Sequence, residues 1–330
     1  MLISGFDALL SDLDGVVYAG NGAIPKAIDA LNRLSECSVS LAYVTNNASR
    51  SPGAVAAHLK QLGAPASAEQ VFGSADAGAE LLAQKLPQGS KVLVVGSGYL
   101  RDCVSSFGME IVASHTDEPL GVIQGFDPAL GWKDLAEAAF AINGGAIWVA
   151  TNTDLTIPRA EGIAPGNGSL VNAIGAATNT RPLVAGKPEP LLFRRAAENF
   201  EATRPLVVGD RLDTDILGGN RAGYNTVLVL TGVDTALSAL SAKTAERPDY
   251  LIADLSDLYE EYPVIEATGF GIRCGSAVAC VNDQTIVIDG EENNLDSWRA
   301  ACAAWWLAHP EQEHAVEPKL TFSQKVGSKP

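Results

Sequence analysis

Short apolar runs, each the length of one strand and each closed by a polar cluster, alternate along this chain with segments of helical period. The first run, Ala8-Leu9-Leu10, ends in two carboxylates two residues apart, Asp12 and Asp14, with Gly15 after them to let the chain turn. Residues 25–37 then carry apolar positions at Ala27, Ile28, Leu31 and Leu34 with a proline near the start, a helical pattern. The second run, 39–44, closes on Thr45-Asn46-Asn47-Ala48-Ser49. Ser51-Pro52 reads as an N-cap and first-turn pair opening a helix to about Leu62, with Gly63 as its stop. A third strand at 70–73 and a helix through Leu86 complete three β-α units. Such alternation predicts an α/β protein with a Rossmann-like, doubly wound parallel sheet, whose post-strand polar clusters emerge at one ligand-binding edge.

The middle of the chain repeats the pattern: strands at 91–95, 121–124 and 146–150, helices at 99–107 and 132–142, and a long polar loop over 151–167 before a helix at 169–177. Loops of that length inside a domain are usually functional. The first pattern then resumes, with 182–185 leading to Gly186-Lys187-Pro188, a helix through Asn199, 205–208 leading to Gly209-Asp210, a helix at 214–222, and strands at 226–230 and 250–252. We read residues 1–84 and 181–262 as a core domain, 85–180 as an inserted α/β cap, and 263–330 as a small α+β appendage. In the appendage, runs at 277–281 and 284–288 flank the turn-prone Asn282-Asp283, and 295–309 is a helix carrying Trp298, Trp305 and Trp306, expected as packing residues. Residues 323–330 are expected to fray.

Composition narrows the partners. A formal charge of −16 argues against nucleic acid or an anionic membrane surface, both of which need basic protein. There is no signal-peptide pattern and no run long enough to span a bilayer, so a cytoplasmic protein is expected, with a homodimer left open. The five cysteines are odd in number and lack CxxC spacing, which predicts free thiols and no zinc site. The four histidines show no ligand spacing. Gly96-Ser97-Gly98 follows a strand, but Arg101 stands where a dinucleotide fingerprint needs its third glycine.

Two acids at one strand end repel each other unless a cation sits between them. On a doubly wound sheet Asp12 with Asp14, Thr45 with Asn46, Lys187, and Asp210 with Asp215 are expected to meet. Taken singly, each cluster has a commonplace reading: a turn, a helix cap, a loop. Together they hold the parts of phosphoryl transfer, namely a carboxylate nucleophile, sites for a divalent cation, donors for non-bridging oxygens, and a second acid for protons.

Asp12-Leu13-Asp14-Gly15-Val16-Val17, Thr45-Asn46-Asn47, Gly186-Lys187-Pro188 and Gly209-Asp210-Arg211-Leu212-Asp213-Thr214-Asp215-Ile216 resemble, in this order, the motifs of the haloacid dehalogenase superfamily. The resemblance is closest to phosphatases with the larger, C2-type cap, the p-nitrophenylphosphatase-like group, and covers about residues 5–260. It implies that Asp12 forms an aspartyl-phosphate and that Asp14 serves as acid and then base, with its carbonyl on Mg²⁺. It further implies that Asp210 completes the protein ligands and that Asp215 orients Lys187 or a metal-bound water. Thr45 by its hydroxyl, Asn46 by its backbone amide and Lys187 by its ammonium would bind the phosphoryl group; Asp213 matches no family position and reads as a solvated first-turn acid.

A closing cap favours small phosphate esters over phosphoproteins. Its candidate specificity residues are Asp127 in Gln124-Gly125-Phe126-Asp127, and Asn152, Asp154, Ile157, Pro158 and Arg159 in the long loop. Ile157 stands where pyridoxal phosphatases of this group have histidine, as in relatives acting on glycerol 3-phosphate and phosphoglycolate. The appendage also resembles that of actinobacterial members acting on glycerol 3-phosphate, which is therefore the expected substrate; phosphoglycolate, pyridoxal phosphate and sugar phosphates are alternatives. Readings of another class are a phosphotransferase and a non-catalytic regulatory binding protein.

Overall fold

The computed structural model describes residues 1–20, 22–159 and 162–323, with backbone alone at 158 and 159. The expected fraying of 324–330 lies outside the described residues, whereas Ser323 closes a strand. The chain forms two compact units, Met1–Leu41 with Ala202–Pro330, and Ala42–Glu201.

In the first unit Ala8–Ser11, Pro205–Gly209, Asn225–Val229 and Tyr250–Ile252 pair in parallel in the order 250–252, 225–229, 205–209, 8–11. The first two are buried along their whole length, as expected of central parallel strands read as continuous apolar runs. Ser11 pairs with Val208, so Asp12 and Gly209-Asp210 leave the sheet side by side. After Arg211 the chain makes a π-helical turn, Leu212–Ile216, before the α-helix Leu217–Ala222. Sequence periodicity predicted one continuous helix there; π turns recur at functional sites.

At the opposite, N-terminal edge Asp7 joins the first strand to the chain entering 205–209. Its carboxylate accepts from Thr203 N (2.9 Å), Thr203 Oγ1 (2.6 Å) and Arg204 N (2.9 Å). Burial works against its charge, but these hydrogen bonds outweigh burial and hold its pKa below the ordinary value. A depressed carboxylate contributes stability above its unfolded pKa, and that stability is lost as pH falls through the folded value. Asp7→Asn should therefore cost about 1–2 kcal/mol in urea unfolding at pH 7. The difference from the parent should shrink toward pH 3.

The appendage is a five-stranded sheet in sequence order, Ile265–Thr268, Gly271–Cys274, Ala277–Asn282, Thr285–Asp289 and Lys319–Ser323, antiparallel except for the last, parallel pair. The helix Leu295–Ala308 makes the crossover that a parallel pair requires. Asp283, at φ 53°, turns the expected hairpin. Trp305 is fully buried in one cluster with Ile272, Ile286 and Ile288, and with Leu228, Leu240 and Leu251 around the parallel sheet. The appendage thus shares its core with the sheet it follows.

The second unit holds an all-parallel sheet in the order Leu183–Val184, Ile147–Ala150, Gly121–Gln124, Lys91–Val95, Glu110–Val112. Alternate residues of one strand feed opposite faces: Val92 and Val94 pack with Leu82 and Leu100, Leu93 and Val95 with Ala138, Ile142 and Val171. Ser51 caps Pro52–Gln61 as expected, its side chain accepting from Ala54 N. The loop read as irregular over 151–167 instead contains an antiparallel hairpin, Thr156–Arg159 with Gly162–Pro165. Two prolines and exposed flanks gave its strands neither buried alternation nor an apolar run.

The expected class, α/β with parallel sheets flanked by helices, is the class observed. Among the described residues no helix is long and apolar enough to cross a membrane.

Candidate active site

In the first unit one carboxylate oxygen each from Asp12, Asp210 and Asp215 lies within 4.8 Å of the others. All three residues are buried, Asp210 and Asp215 to 2% and 1% exposure. Buried like charges at that spacing are costly unless a cation joins them, and hard oxygen donors of this kind suit Mg²⁺. Each acid is held by hydrogen bonds to main-chain groups. Asp12 N donates to Val208 O across the parallel ladder (2.9 Å). Asp210 Oδ2 accepts from Val233 N (2.8 Å), and Asp210 O from Asp234 N (3.0 Å). Asp215, on the π turn, accepts from Arg211 N (3.2 Å).

Two glycines press on Asp210. Gly15 has φ +80°, and a Cβ there would come within 2.2 Å of Asp210 Oδ2; at Gly232 the approach would be 2.0 Å. Thr231 Oγ1 donates to Gly15 O (2.7 Å), joining the two loops. Asp14 is exposed, and its side chain is not one of the three gathered carboxylates. Asp213 is bound by the Arg211 guanidinium at the surface.

The residues expected as phosphate donors lie in the second unit. Thr45 ends its strand, and its Oγ1 accepts from Asn47 N (3.1 Å), which leaves the hydroxyl's own hydrogen to donate elsewhere. Lys187 is 3% exposed, with Nζ donating to Val44 O (3.2 Å). The Asn46 side chain turns onto the Lys187 backbone: Oδ1 accepts from Lys187 N (2.8 Å) and Nδ2 donates to Lys187 O (3.1 Å). Of the expected specificity residues, Asn152 donates through Nδ2 to Asn46 O (2.8 Å), and Asp154 accepts from Asn46 Nδ2 (3.0 and 3.1 Å). Asp127 caps a local turn through Ala129 N, and Ile157 sits half-buried in the hairpin. The side chains of Pro158 and Arg159 lie outside the described residues.

Several contributors were not singled out from sequence: Thr231, Gly232, Val233 and Asp234 around Asp210, and Ser74, whose Oγ donates to Asn46 O (2.7 Å). The signal for the first four was present, since they form the polar cluster that follows the strand Asn225–Val229. Gly96-Ser97-Gly98 proves to be a helix start, Ser97 capping Gly98–Ser106. The five cysteines are free thiols, and burial pushes those of Cys103 and Cys274 up to about 12, which keeps them protonated and poor nucleophiles.

Parallel sheets with three buried acids gathered beyond the strand ends, and a buried lysine after Gly186, are the features of a hydrolase of the haloacid dehalogenase type, and sequence comparison agrees. The profile of haloacid dehalogenase-like hydrolases matches residues 9–110, and a related hydrolase profile matches 184–258. The chain belongs to this family. It is 41% identical over 313 residues to the D-glycerol 3-phosphate phosphatase of Mycobacterium tuberculosis, covering 93% of this chain and 88% of that protein. The crystal structure of a glycerol phosphate phosphatase from that organism in complex with magnesium matches with a TM-score of 0.87 at 38% identity, over 98% of this chain and 96% of the other. A p-nitrophenyl phosphatase from Archaeoglobus fulgidus matches with a TM-score of 0.71 at 28% identity, over 77% of this chain and 98% of its own.

Proposed function

We propose that this chain is a Mg²⁺-dependent phosphatase of small phosphate monoesters, with glycerol 3-phosphate as its substrate, acting through an aspartyl-phosphate on Asp12. The observation that carries the reading is the trio of buried carboxylates, Asp12, Asp210 and Asp215, within 4.8 Å. Asp12 and Asp210 by their carboxylates and Asp14 by its backbone carbonyl are the ligands, with Asp215 orienting beside them. When bound, the cation offsets the repulsion between carboxylates and phosphate.

The chain's own groups do the rest. Thr45 Oγ1, Asn46 N and Lys187 Nζ are the proposed donors to the non-bridging oxygens of the phosphoryl group. The Asp12 carboxylate bonds to phosphorus as the bond to the glycerol oxygen breaks, and Asp14 donates a proton to that oxygen. Asp14, now a carboxylate, takes a proton from water; the water oxygen bonds to phosphorus, the acyl-phosphate bond breaks, and phosphate leaves with Asp12 restored. Residues 85–180 are proposed as the cap, a reading supported by the two family matches leaving 111–183 between them. Asp127, Ile157, Pro158 and Arg159 are proposed to face the leaving group.

A phosphate-release screen tests the reading with glycerol 3-phosphate, phosphoglycolate, pyridoxal phosphate and sugar phosphates, each with Mg²⁺ and with chelator. Glycerol 3-phosphate should give the highest kcat/KM, and chelation should remove activity. No release from any ester with Mg²⁺ present would sink the proposal, and transfer of phosphate to an added alcohol in preference to water would reassign it as a phosphotransferase.

A further inference from the structure

The Asn46 carboxamide has every hydrogen-bonding group committed. Its Oδ1 faces Lys187 N at 2.8 Å, one Nδ2 hydrogen faces Lys187 O at 3.1 Å, and the other faces the Asp154 carboxylate at 3.0 and 3.1 Å. It grips the N–H and C=O edge of one residue as a neighbouring strand would. Such a clamp works in only one of the two flips of the amide, since the other would set Nδ2 against Lys187 N–H and Oδ1 against Lys187 O.

Asp154 enforces the same choice from the other side of the amide. An ionised carboxylate only accepts, so the Asn46 amino group must face it, and Oδ1 is thereby turned to Lys187 N. The carboxylate itself is presented from a fixed backbone. Asp154 O accepts from Gly168 N (2.8 Å), Leu155 O accepts from Gly166 N (2.8 Å) and from Ser169 Oγ (2.7 Å), and Asp154 N donates to Asn152 Oδ1 (3.2 Å). Gly168 and Gly166 permit this approach, since a Cβ on either would fall within 2.1 Å of Thr153 O or 2.3 Å of Asp154 O respectively. The other side of Asn46 is held as firmly, its carbonyl accepting from both Ser74 Oγ and Asn152 Nδ2. At Gly186 the missing side chain leaves room for Asn46 Oδ1, which a Cβ would meet at 2.5 Å.

We infer that Asp154, with Asn152 behind it, is a positioning residue for the phosphate donors: it sets the Asn46 carboxamide, which fixes the backbone from which Lys187 reaches the phosphoryl group. This rests on the phosphatase reading above. It differs from a specificity role in a way that can be measured, because donors to the phosphoryl group are shared by every ester, whereas a residue reading the leaving group discriminates among them.

The full-length Mg²⁺-loaded protein carrying the isosteric Asp154→Asn is the test, beside Asn46→Ala and the Asp154→Asn/Asn46→Ala double variant. Expected is a rise of about ten-fold in KM for both glycerol 3-phosphate and p-nitrophenyl phosphate, with the inhibition constant of inorganic phosphate raised by the same factor and kcat changed less. Deuterium uptake should quicken in peptides spanning 185–190 while the rest of the chain exchanges as in the parent. The double variant should be no worse than Asn46→Ala, since both lie in one linkage. A KM change confined to glycerol 3-phosphate with phosphate inhibition unaltered would overturn the inference, as would parental uptake over 185–190. If the parent protein releases no phosphate from any ester, the phosphatase reading fails, and the uptake measurement still decides whether Asp154 sets the clamp.

Discussion

Asp12→Asn should abolish phosphate release, lowering kcat by about four orders of magnitude or more, and should at the same time raise the thermal stability of the metal-free protein. The first effect follows from chemistry: the amide keeps the shape of the side chain but has no anionic oxygen to bond to phosphorus. The second follows from the site. Asp12, Asp210 and Asp215 are buried within 4.8 Å of one another, so without a cation each destabilises the others, and removing one charge relieves that strain. The backbone contact Asp12 N to Val208 O does not involve the side chain, so the strand end should stay in place. Added Mg²⁺ should raise the melting temperature of the parent more than that of the variant, because a ligand stabilises only in proportion to its binding. Paired melting curves with and without Mg²⁺, run beside the phosphate assay, separate the two effects. Residual turnover above one part in a hundred would remove Asp12 from the role of nucleophile.

Why the place of Asp12 at a strand end could be read from sequence while the contacts of Asp154 could not is a matter of range. The strand ending at Ser11 is four buried residues long, and its closing acids stand next to it in the chain, so a local pattern carries the whole inference. The same holds for Thr45, for Asp210 and for Ser51 before Pro52. Asn46 was read as a donor through its backbone, but its side chain acts on a residue 141 positions away, and no local spacing encodes that. Asn152 and Asp154 lay in a segment read as a loop open to substrate; their side chains engage Asn46 because the start of the helix Asn167–Thr178, with its cap Gly166, pins the loop from behind. Strands failed for a similar reason. Lys319–Ser323 pairs in parallel with Thr285–Asp289 across an intervening helix, so no turn announces it, and Ile265–Thr268 is an exposed strand of four residues, too short for its alternation of apolar and polar residues to mark it. The loop at 231–234 was missed although it obeys the rule that found the other clusters, because it matches none of the four motifs on which the family resemblance rests.

That loop yields the second large effect. Gly232→Ala should lower Mg²⁺ affinity by about ten- to a hundred-fold, as expected for groups that orient a metal ligand, and kcat/KM at limiting Mg²⁺ should fall with it. An ideal Cβ on Gly232 would lie 2.0 Å from Asp210 Oδ2 and 2.5 Å from Asp210 Cβ, distances that no pair of non-bonded atoms sustains. Asp210 has little room to give way: it is 2% exposed, and the same Oδ2 is fixed by Val233 N at 2.8 Å. The carboxylate must therefore swing off its amide or the 231–234 loop must shift, and either displaces a proposed ligand. Gly15→Ala would strike the same oxygen at 2.2 Å, but Gly15 also has φ +80°, so its substitution would mix backbone strain with the clash. At Gly232 no left-handed φ intervenes, and the effect isolates the carboxylate. Raising Mg²⁺ should restore much of the lost rate in Gly232→Ala and none of it in Asp12→Asn. A Gly232→Ala enzyme with the parent's Mg²⁺ half-saturation would show that Asp210 does not hold the cation.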